Sequence, residues 1–62
     1  MITRIKEESE RIVDGKRVTI GTIEELYYDG KWYFIGFQVM YEGKLKRVFT
    51  VWPTDSDIRK VL

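Results

Sequence analysis

Three tripeptides of the form acidic residue, glycine, lysine divide the chain into four segments. They recur at spacings of fifteen and thirteen residues: Asp14-Gly15-Lys16, Asp29-Gly30-Lys31 and Glu42-Gly43-Lys44. Glycine reaches the positive φ angles that tight turns need, and Asp-Gly between β-branched residues is a strong hairpin signal. The spacing therefore predicts an antiparallel meander with strands at roughly 3–13, 16–28, 31–41 and 44–52.

The first segment, residues 3–13, fits two structures. Its charged stretch at residues 6–10 favours a helix by propensity, with Gly15 as the C-terminal cap. The Asp14-Gly15 pair favours a hairpin instead, with Ile5 pointing inward and the charged middle lying at a sheet edge. Because the same turn signal recurs twice, we predict a strand, and a helix is the alternative.

The segment from residue 31 to residue 52 holds both tryptophans and all three phenylalanines. We predict a hairpin with a three-residue loop at 41–43, which would place Trp32 opposite Trp52. Side chains alternate between the two faces of a strand, so the register decides which of them are buried. The predicted core consists of Val18, Ile20, Ile23, Tyr33, Ile35, Phe37, Val39, Leu45, Phe49 and Val51.

The second segment does not alternate regularly. Val18 and Ile20 share a face, but the next apolar residue, Ile23, comes one position late. Gly21-Thr22 is therefore a candidate β-bulge, which would bend the strand. Together with Gly36 in the neighbouring strand, it predicts a curved sheet that closes into a small barrel.

The C-terminal segment begins at Pro53, the only proline, which cannot donate a hydrogen bond to a sheet. Residues 54–57 have the composition of a helix start, so we predict a one-turn helix after Pro53. The apolar spacing of residues 58–62 fits a continued helix and a short closing strand equally well.

The second half of the chain, residues 31–62, resembles an SH3 domain. Trp32-Tyr33 is similar to the aromatic pair early in the third SH3 strand, and Pro53 with residues 54–62 resembles the proline, single helical turn and last strand. The resemblance implies an SH3-like barrel of four to five antiparallel strands, with Trp32 and Pro53 at matching groove positions. Polyproline binding is not implied, because residues 54–57 lack the tyrosine of that groove.

Length and composition limit the function. Sixty-two residues predict one domain that spans 1–62. With no cysteine, no histidine and a formal net charge of +1, the chain argues against disulfides, thiolate or imidazole metal sites and extensive phosphate contacts. It has no run long enough for a membrane span and no signal-peptide core, so we expect a soluble cytoplasmic protein. We expect no cofactor and no enzymatic activity, because no nucleophile–base pair or phosphate loop is recognisable.

Two groups of residues are candidates for a binding site. The first group is aromatic: Trp32, Phe34 and Trp52. The second group is basic and lies together on the fourth strand: Lys44, Lys46 and Arg47. The aromatic group would form an exposed patch or a second small core, and the basic group would contact phosphates or protect a sheet edge.

Two hypotheses for the function follow. Cysteine, histidine, asparagine and alanine are all absent, which is typical of a hyperthermophile protein and equally of a designed sequence. The first hypothesis is a stable, idealised or designed scaffold without biochemical activity. The alternative is a small module from a thermophile or its virus that binds a peptide, a protein or single-stranded nucleic acid. We expect a monomer, with a dimer paired through sheet edges as the alternative.

Overall fold

The chain forms one antiparallel sheet with a short helix at its C-terminus. The structure, a computed structural model, describes residues 2–62. Its elements are β1 (Ile2–Val13), β2 (Lys16–Leu26), β3 (Trp32–Tyr41), β4 (Lys44–Phe49) and α1 (Asp55–Val61). The strand order is β1-β2-β3-β4, so the all-β meander predicted from the turns is confirmed. The first segment is a strand, as predicted, despite its helix-favouring charged stretch.

Two of the three turns are tight two-residue hairpins. Asp14 and Gly15 have φ angles of 52° and 76°, and Glu42 and Gly43 have φ angles of 50° and 75°. Positive φ at both positions defines the type I′ turn, whose twist matches that of paired strands. The three-residue loop predicted at 41–43 is therefore wrong.

The third connection, between β2 and β3, is longer. The Gly30 amide donates to the Tyr27 carbonyl oxygen at 3.0 Å, and the Tyr27 amide donates to the Lys31 carbonyl oxygen at 3.1 Å. Gly30, with a φ angle of 77°, is the last of the three residues, 28–30, that lie between the hydrogen-bonded Tyr27 and Lys31. All three predicted turns are thus present, in two different forms.

A register shift between β3 and β4 changes the predicted hairpin. Leu45 pairs with Met40, whereas Arg47 pairs with Val39, so one extra residue lies in β4 between them. Leu45 consequently lies 55% exposed instead of in the core. Because β4 ends at Phe49, the predicted Trp32–Trp52 pair is wrong as well.

A second shift lies in the middle of β3. Ile23 pairs with Gly36 and Glu24 pairs with Phe34, which leaves Ile35 without a partner on β2. An extra residue in one strand exchanges the two faces beyond it. Phe34 therefore lies on the face of Phe37, not on the opposite face as the regular alternation predicts.

The bulge predicted at Gly21-Thr22 is wrong, because both residues pair regularly with β3. A third shift falls between Ile5 and Glu8 in β1. Gly21 has another role there, since a Cβ atom on it would lie 2.5 Å from Cγ2 of Ile5. Ile5 thus packs directly on the Gly21 backbone, and it also pairs with Ile23. Ile23 therefore packs with Ile5 on the face of the sheet opposite to that of Ile20, which explains its position in the sequence pattern.

The core occupies the end of the sheet that carries the two type I′ turns. The buried cluster consists of Val13, Val18, Ile20, Val39 and Ile58, with Phe37, Tyr41, Phe49 and Leu62 packed against it. Of the predicted core, Val18, Ile20, Ile23 and Val39 are buried, and Ile35, Phe37 and Phe49 are half-buried. The predictions for Tyr33 and Val51 are wrong, since these side chains are 43% and 69% exposed.

Helix α1 covers this core. Thr54 is its N-cap and forms a capping box with Asp57, so the predicted helix start after Pro53 is confirmed. The helix continues for seven residues and buries Ile58. Arg59 fixes it to the first turn through Asp14, with Nε and Oδ2 2.7 Å apart.

Closure into an SH3-like barrel is not confirmed. Within residues 2–62, β1 and β4 are the two edges of the sheet and do not pair with each other. No fifth strand follows Phe49 in this part of the chain, because residues 55–61 form the helix. The molecule is accordingly elongated, with principal extents of 42, 20 and 15 Å.

Candidate binding surface

Four aromatic side chains lie on the helix-bearing face of the sheet, beyond the end of the helix. We call Trp32, Phe34, Phe37 and Trp52 the aromatic surface. Phe34 meets Phe37 edge-on with 5.2 Å between ring centroids, and Phe37 meets Trp52 edge-on at 5.1 Å. Such edge-to-face pairs stabilise each ring in a defined orientation. Phe37 also contacts the core, so the surface continues the core outward.

The outer rings of this surface are open to solvent. Phe34 is 51% exposed and Trp52 is 45% exposed, and the neighbouring Val51 is also exposed. A second small core at this position would have required another element to cover these rings, and α1 lies over the other half of the sheet. Of the two interpretations of the aromatic group, the exposed patch therefore fits these side chains.

Two arginines from β1 lie over the tryptophans. The Arg4 guanidinium carbon is 3.8 Å from the Trp32 ring centroid, and that of Arg11 is 5.2 Å from the Trp52 ring centroid. Arg4 also pairs with Glu24 at 3.1 Å. These arginines shield one side of each indole and leave a surface of alternating rings and guanidinium groups.

Arg11 also holds the chain that carries Trp52. Its Nη1 donates to the Pro53 carbonyl oxygen at 2.7 Å and lies 3.5 Å from Oδ1 of Asp55. Pro53 is fully buried, so it shares no open groove with Trp32 of the kind that the SH3 resemblance implies. The position of Trp52 is thus set by a buried proline and a charge-assisted hydrogen bond.

The three basic residues of β4 are exposed on an edge strand. Lys44 pairs with Tyr41, next to the second type I′ turn, whereas Trp32 and Phe34 pair with the opposite end of β2. Among the charged groups within residues 2–62, Lys44, Lys46 and Arg47 take part in no ion pair. The Lys46 ammonium nitrogen lies 6.0 Å from the Tyr41 ring centroid, and the Arg47 guanidinium carbon lies 5.4 Å from the Phe49 ring centroid. Neither of these rings belongs to the aromatic surface. Lys44 therefore lies away from the aromatic surface, whereas Arg47 lies near Phe37, because it contacts Phe49 and Phe49 pairs with Phe37. The position of the two lysines on an edge strand fits edge protection.

Two tyrosines lie together at the same end of the sheet as the aromatic surface, but on the opposite face. The sequence pattern did not predict this cluster. Tyr27 and Tyr33 meet edge-on at 5.0 Å, and the Tyr33 hydroxyl donates to Asp29 at 2.6 Å. This hydrogen bond lowers the pKa of Asp29 and raises the pKa of Tyr33. Likewise, the hydrogen bond to Glu25 raises the pKa of Tyr27. The sequence signal that could have indicated this cluster is the pair Tyr27-Tyr28 directly before Asp29-Gly30.

A shallow groove of about 340 Å³ runs beside this cluster. It is lined by Tyr27, Tyr28, Asp29, Tyr33, Phe34 and Ile35. A second groove of about 290 Å³ lies between β1 and the turn at residues 42–43. The first groove is lined mainly by aromatic rings, and Phe34 is one of them. Apolar surface is therefore accessible on both faces of β3 at residues 33–35.

Comparison with protein-family models, with curated proteins and with solved structures finds no match for this chain. Within residues 2–62, no group of three or more histidine, cysteine, aspartate or glutamate side chains is placed to hold a metal ion. The helix in the described part of the chain is too short to cross a membrane.

Proposed function

We propose that the protein is a small binding module without enzymatic activity, which takes the apolar surface of a protein partner on its aromatic surface. The observation that carries this proposal is the half-exposure of Phe34 and Trp52 on rings that are held in place by Phe37. Rings that are already ordered lose little conformational entropy on binding.

The composition of the surface supports a protein partner. Tryptophan, phenylalanine, tyrosine and arginine are the residues enriched in protein–protein interfaces, where a few aromatic and arginine side chains contribute most of the binding energy. Arg4 and Arg11 lie over Trp32 and Trp52, and both are already paired with carboxylates. Little net positive charge is therefore left at this surface for a phosphate backbone.

The same surface argues against the scaffold hypothesis. An idealised scaffold keeps large apolar side chains off its surface, because exposed patches promote aggregation. Phe34 and Trp52 both contact Phe37, and Val51 precedes Trp52 in the sequence. All three side chains are more than two-fifths exposed: Phe34, Val51 and Trp52. A ligand that covers them accounts for their retention.

Selection from a displayed library of random peptides tests the proposal, because the library samples many apolar sequences at once. Both tryptophans lie in the aromatic surface, so binding of a selected peptide should change their fluorescence. We expect Trp52→Ala to weaken the binding of such a peptide about thirtyfold, which corresponds to the loss of about 2 kcal/mol typical of an interface hot spot.

Ile12→Ala is the matched control, since Ile12 is exposed on β1 away from the aromatic surface. It should leave the affinity unchanged. If the library yields no binder, or if Trp52→Ala binds as the wild type does, the proposal is wrong. Salt-dependent binding of single-stranded oligonucleotides in place of peptides would assign the surface to nucleic acid instead.

A further inference from the structure

Three stretches of the sheet have no neighbouring strand within residues 2–62. Two are the outer sides of the edge strands β1 and β4. The third is the side of β3 that faces away from β2 at residues 32–35, because the pairing with β4 begins only at Phe37. We call residues 32–35 the open edge. Backbone groups on such a stretch are free to pair with another strand.

The two outer edges carry charges that oppose pairing between copies. The middle of β1 is exposed and reads Lys-Glu-Glu-Ser-Glu at residues 6–10, with an excess of negative charge. The exposed start of β4, at residues 44–47, carries three basic side chains and no acidic one. Like charges brought opposite each other are destabilising, so the basic start of β4 resists addition of an identical strand. Charged side chains along an edge also discourage pairing in general, which applies to both edges.

The open edge has no such protection. Its residues, Trp32, Tyr33, Phe34 and Ile35, are all uncharged and large. In an antiparallel pairing with an identical strand, apolar side chains meet apolar side chains and no like charges face each other. The open edge is thus the stretch of this sheet, among the described residues, that is complementary to itself.

The size of the core indicates why a second copy would occupy this edge. Besides Pro53, the described residues include six buried apolar side chains, and these lie mainly at the end covered by α1. Nine large apolar side chains are exposed, among them Tyr33, Phe34, Val51 and Trp52. Domains of about 60 residues bury too little apolar surface to be more than marginally stable, and oligomerisation is a common remedy.

We propose that two copies of the chain pair through their open edges, antiparallel, to form one continuous sheet. A two-fold axis perpendicular to the sheet relates such strands, so residues on one face meet residues on the same face of the second copy. Phe34 therefore lies opposite Trp32 or Phe34 of the second copy, depending on the register, and the two aromatic surfaces join. This pairing uses the backbone of β3 and does not depend on the ligand proposed above.

Analytical ultracentrifugation of the ligand-free protein over a wide concentration range tests the pairing. We expect a reversible dimer that Phe34→Lys converts to a monomer. Leu45→Lys is the matched control, because Leu45 is about as exposed as Phe34 but lies on β4. It should dimerise as the wild type does. Circular dichroism of both variants shows whether each retains its fold.

Engineered cysteines give a second measurement, since the chain has none of its own. Opposed residues of antiparallel strands have Cα atoms about 4.5–5.5 Å apart, within the range of a disulfide bond. Depending on the register, residue 33 or residue 34 lies opposite itself across the axis. We expect Tyr33→Cys or Phe34→Cys to form an intermolecular disulfide rapidly, and Leu45→Cys to form it slowly.

Three results would overturn the pairing. The first is a wild-type protein that stays monomeric at all concentrations. The second is a dimer that persists in folded Phe34→Lys, and the third is a dimer that Leu45→Lys dissociates. A monomer that still binds peptides at Trp52 would leave the proposed function intact, so the two proposals fail separately.

Discussion

Ile58 should be the residue on which the attachment of the helix depends. Ile58 is the fully buried residue of α1. Its side chain belongs to the core cluster, together with Val13, Val18 and Val39. A seven-residue helix is too short to be stable alone in water, so it forms because its apolar face is buried. Ile58→Ala removes most of that buried side chain and leaves the polar face unchanged.

The cost follows from the burial. Replacing a buried isoleucine by alanine typically costs about 2–5 kcal/mol, which combines lost transfer free energy with the cavity left behind. For complete burial, as at Ile58, we expect about 3–4 kcal/mol. Proteins of 62 residues have a free energy of unfolding of about 3–9 kcal/mol. The substitution should therefore remove a third of the stability or more, and Ile58→Val should cost about 0.5–1.5 kcal/mol.

Urea denaturation followed by far-ultraviolet circular dichroism measures both changes. Val51→Ala is the control, because that side chain is 69% exposed, and it should change the free energy of unfolding by no more than about 0.5 kcal/mol. If Ile58→Ala costs no more than Val51→Ala, α1 does not pack on the sheet and the core described above is wrong. Chain concentration must be held constant, because dimerisation would add to the measured stability.

Three further substitutions and conditions test the local structure. Gly21→Ala should lower the free energy of unfolding by about 1–3 kcal/mol, because the added Cβ atom would lie 2.5 Å from Cγ2 of Ile5. In an Ile5→Ala background this cost should largely disappear. A cost that persists there in denaturant titrations would refute the contact. Thr54→Ala should cost about 1 kcal/mol in the same titrations through loss of the N-cap, and no loss would contradict the capping box. The Thr54 amide, as donor to the carboxylate, lowers the pKa of Asp57 below its ordinary value of 3.8. The folded-state pKa is depressed, so this stabilisation is present above pH 3.8 and lost as the pH falls further. Thermal melts at a series of acidic pH values should show Asp57→Asn with a shallower loss than the wild type, and parallel curves would exclude the effect.

The turns and the order of the strands could be predicted because they depend on local chemistry. Glycine in an acidic-Gly-Lys tripeptide reports positive φ directly, and Gly15, Gly30 and Gly43 all have it. The buried row through Val18, Ile20 and Val39 could likewise be predicted, because regular alternation holds where the strands are regular.

The outer half of the sheet could not be predicted, because a bulge leaves no distinct mark in the sequence. The extra residue in β3 is Ile35, an ordinary strand former, whereas Gly21, the glycine that suggests a bulge, lies in a regular ladder with β3. One unpaired residue exchanged the faces of Tyr33 and Phe34. Ile58 was missed for a different reason: the terminal segment had no neighbours in sequence that distinguish a helix from a strand, and its packing on the sheet decided the outcome.

The bulge at Ile35 also explains why the aromatic surface and the open edge occur together. A bulged residue disrupts the ladder and often ends the pairing on that strand. Pairing of β4 with β3 stops at Phe49, whose carbonyl oxygen lies 2.7 Å from where a Cβ of Gly36 would be, just before the bulged residue. The chain then leaves the sheet, which brings Trp52 onto Phe37 and uncovers residues 32–35. If β4 continued to residue 52, residues 50–52 would pair with β3 and cover the open edge. The structure would then have neither an open strand nor a tryptophan packed on Phe37.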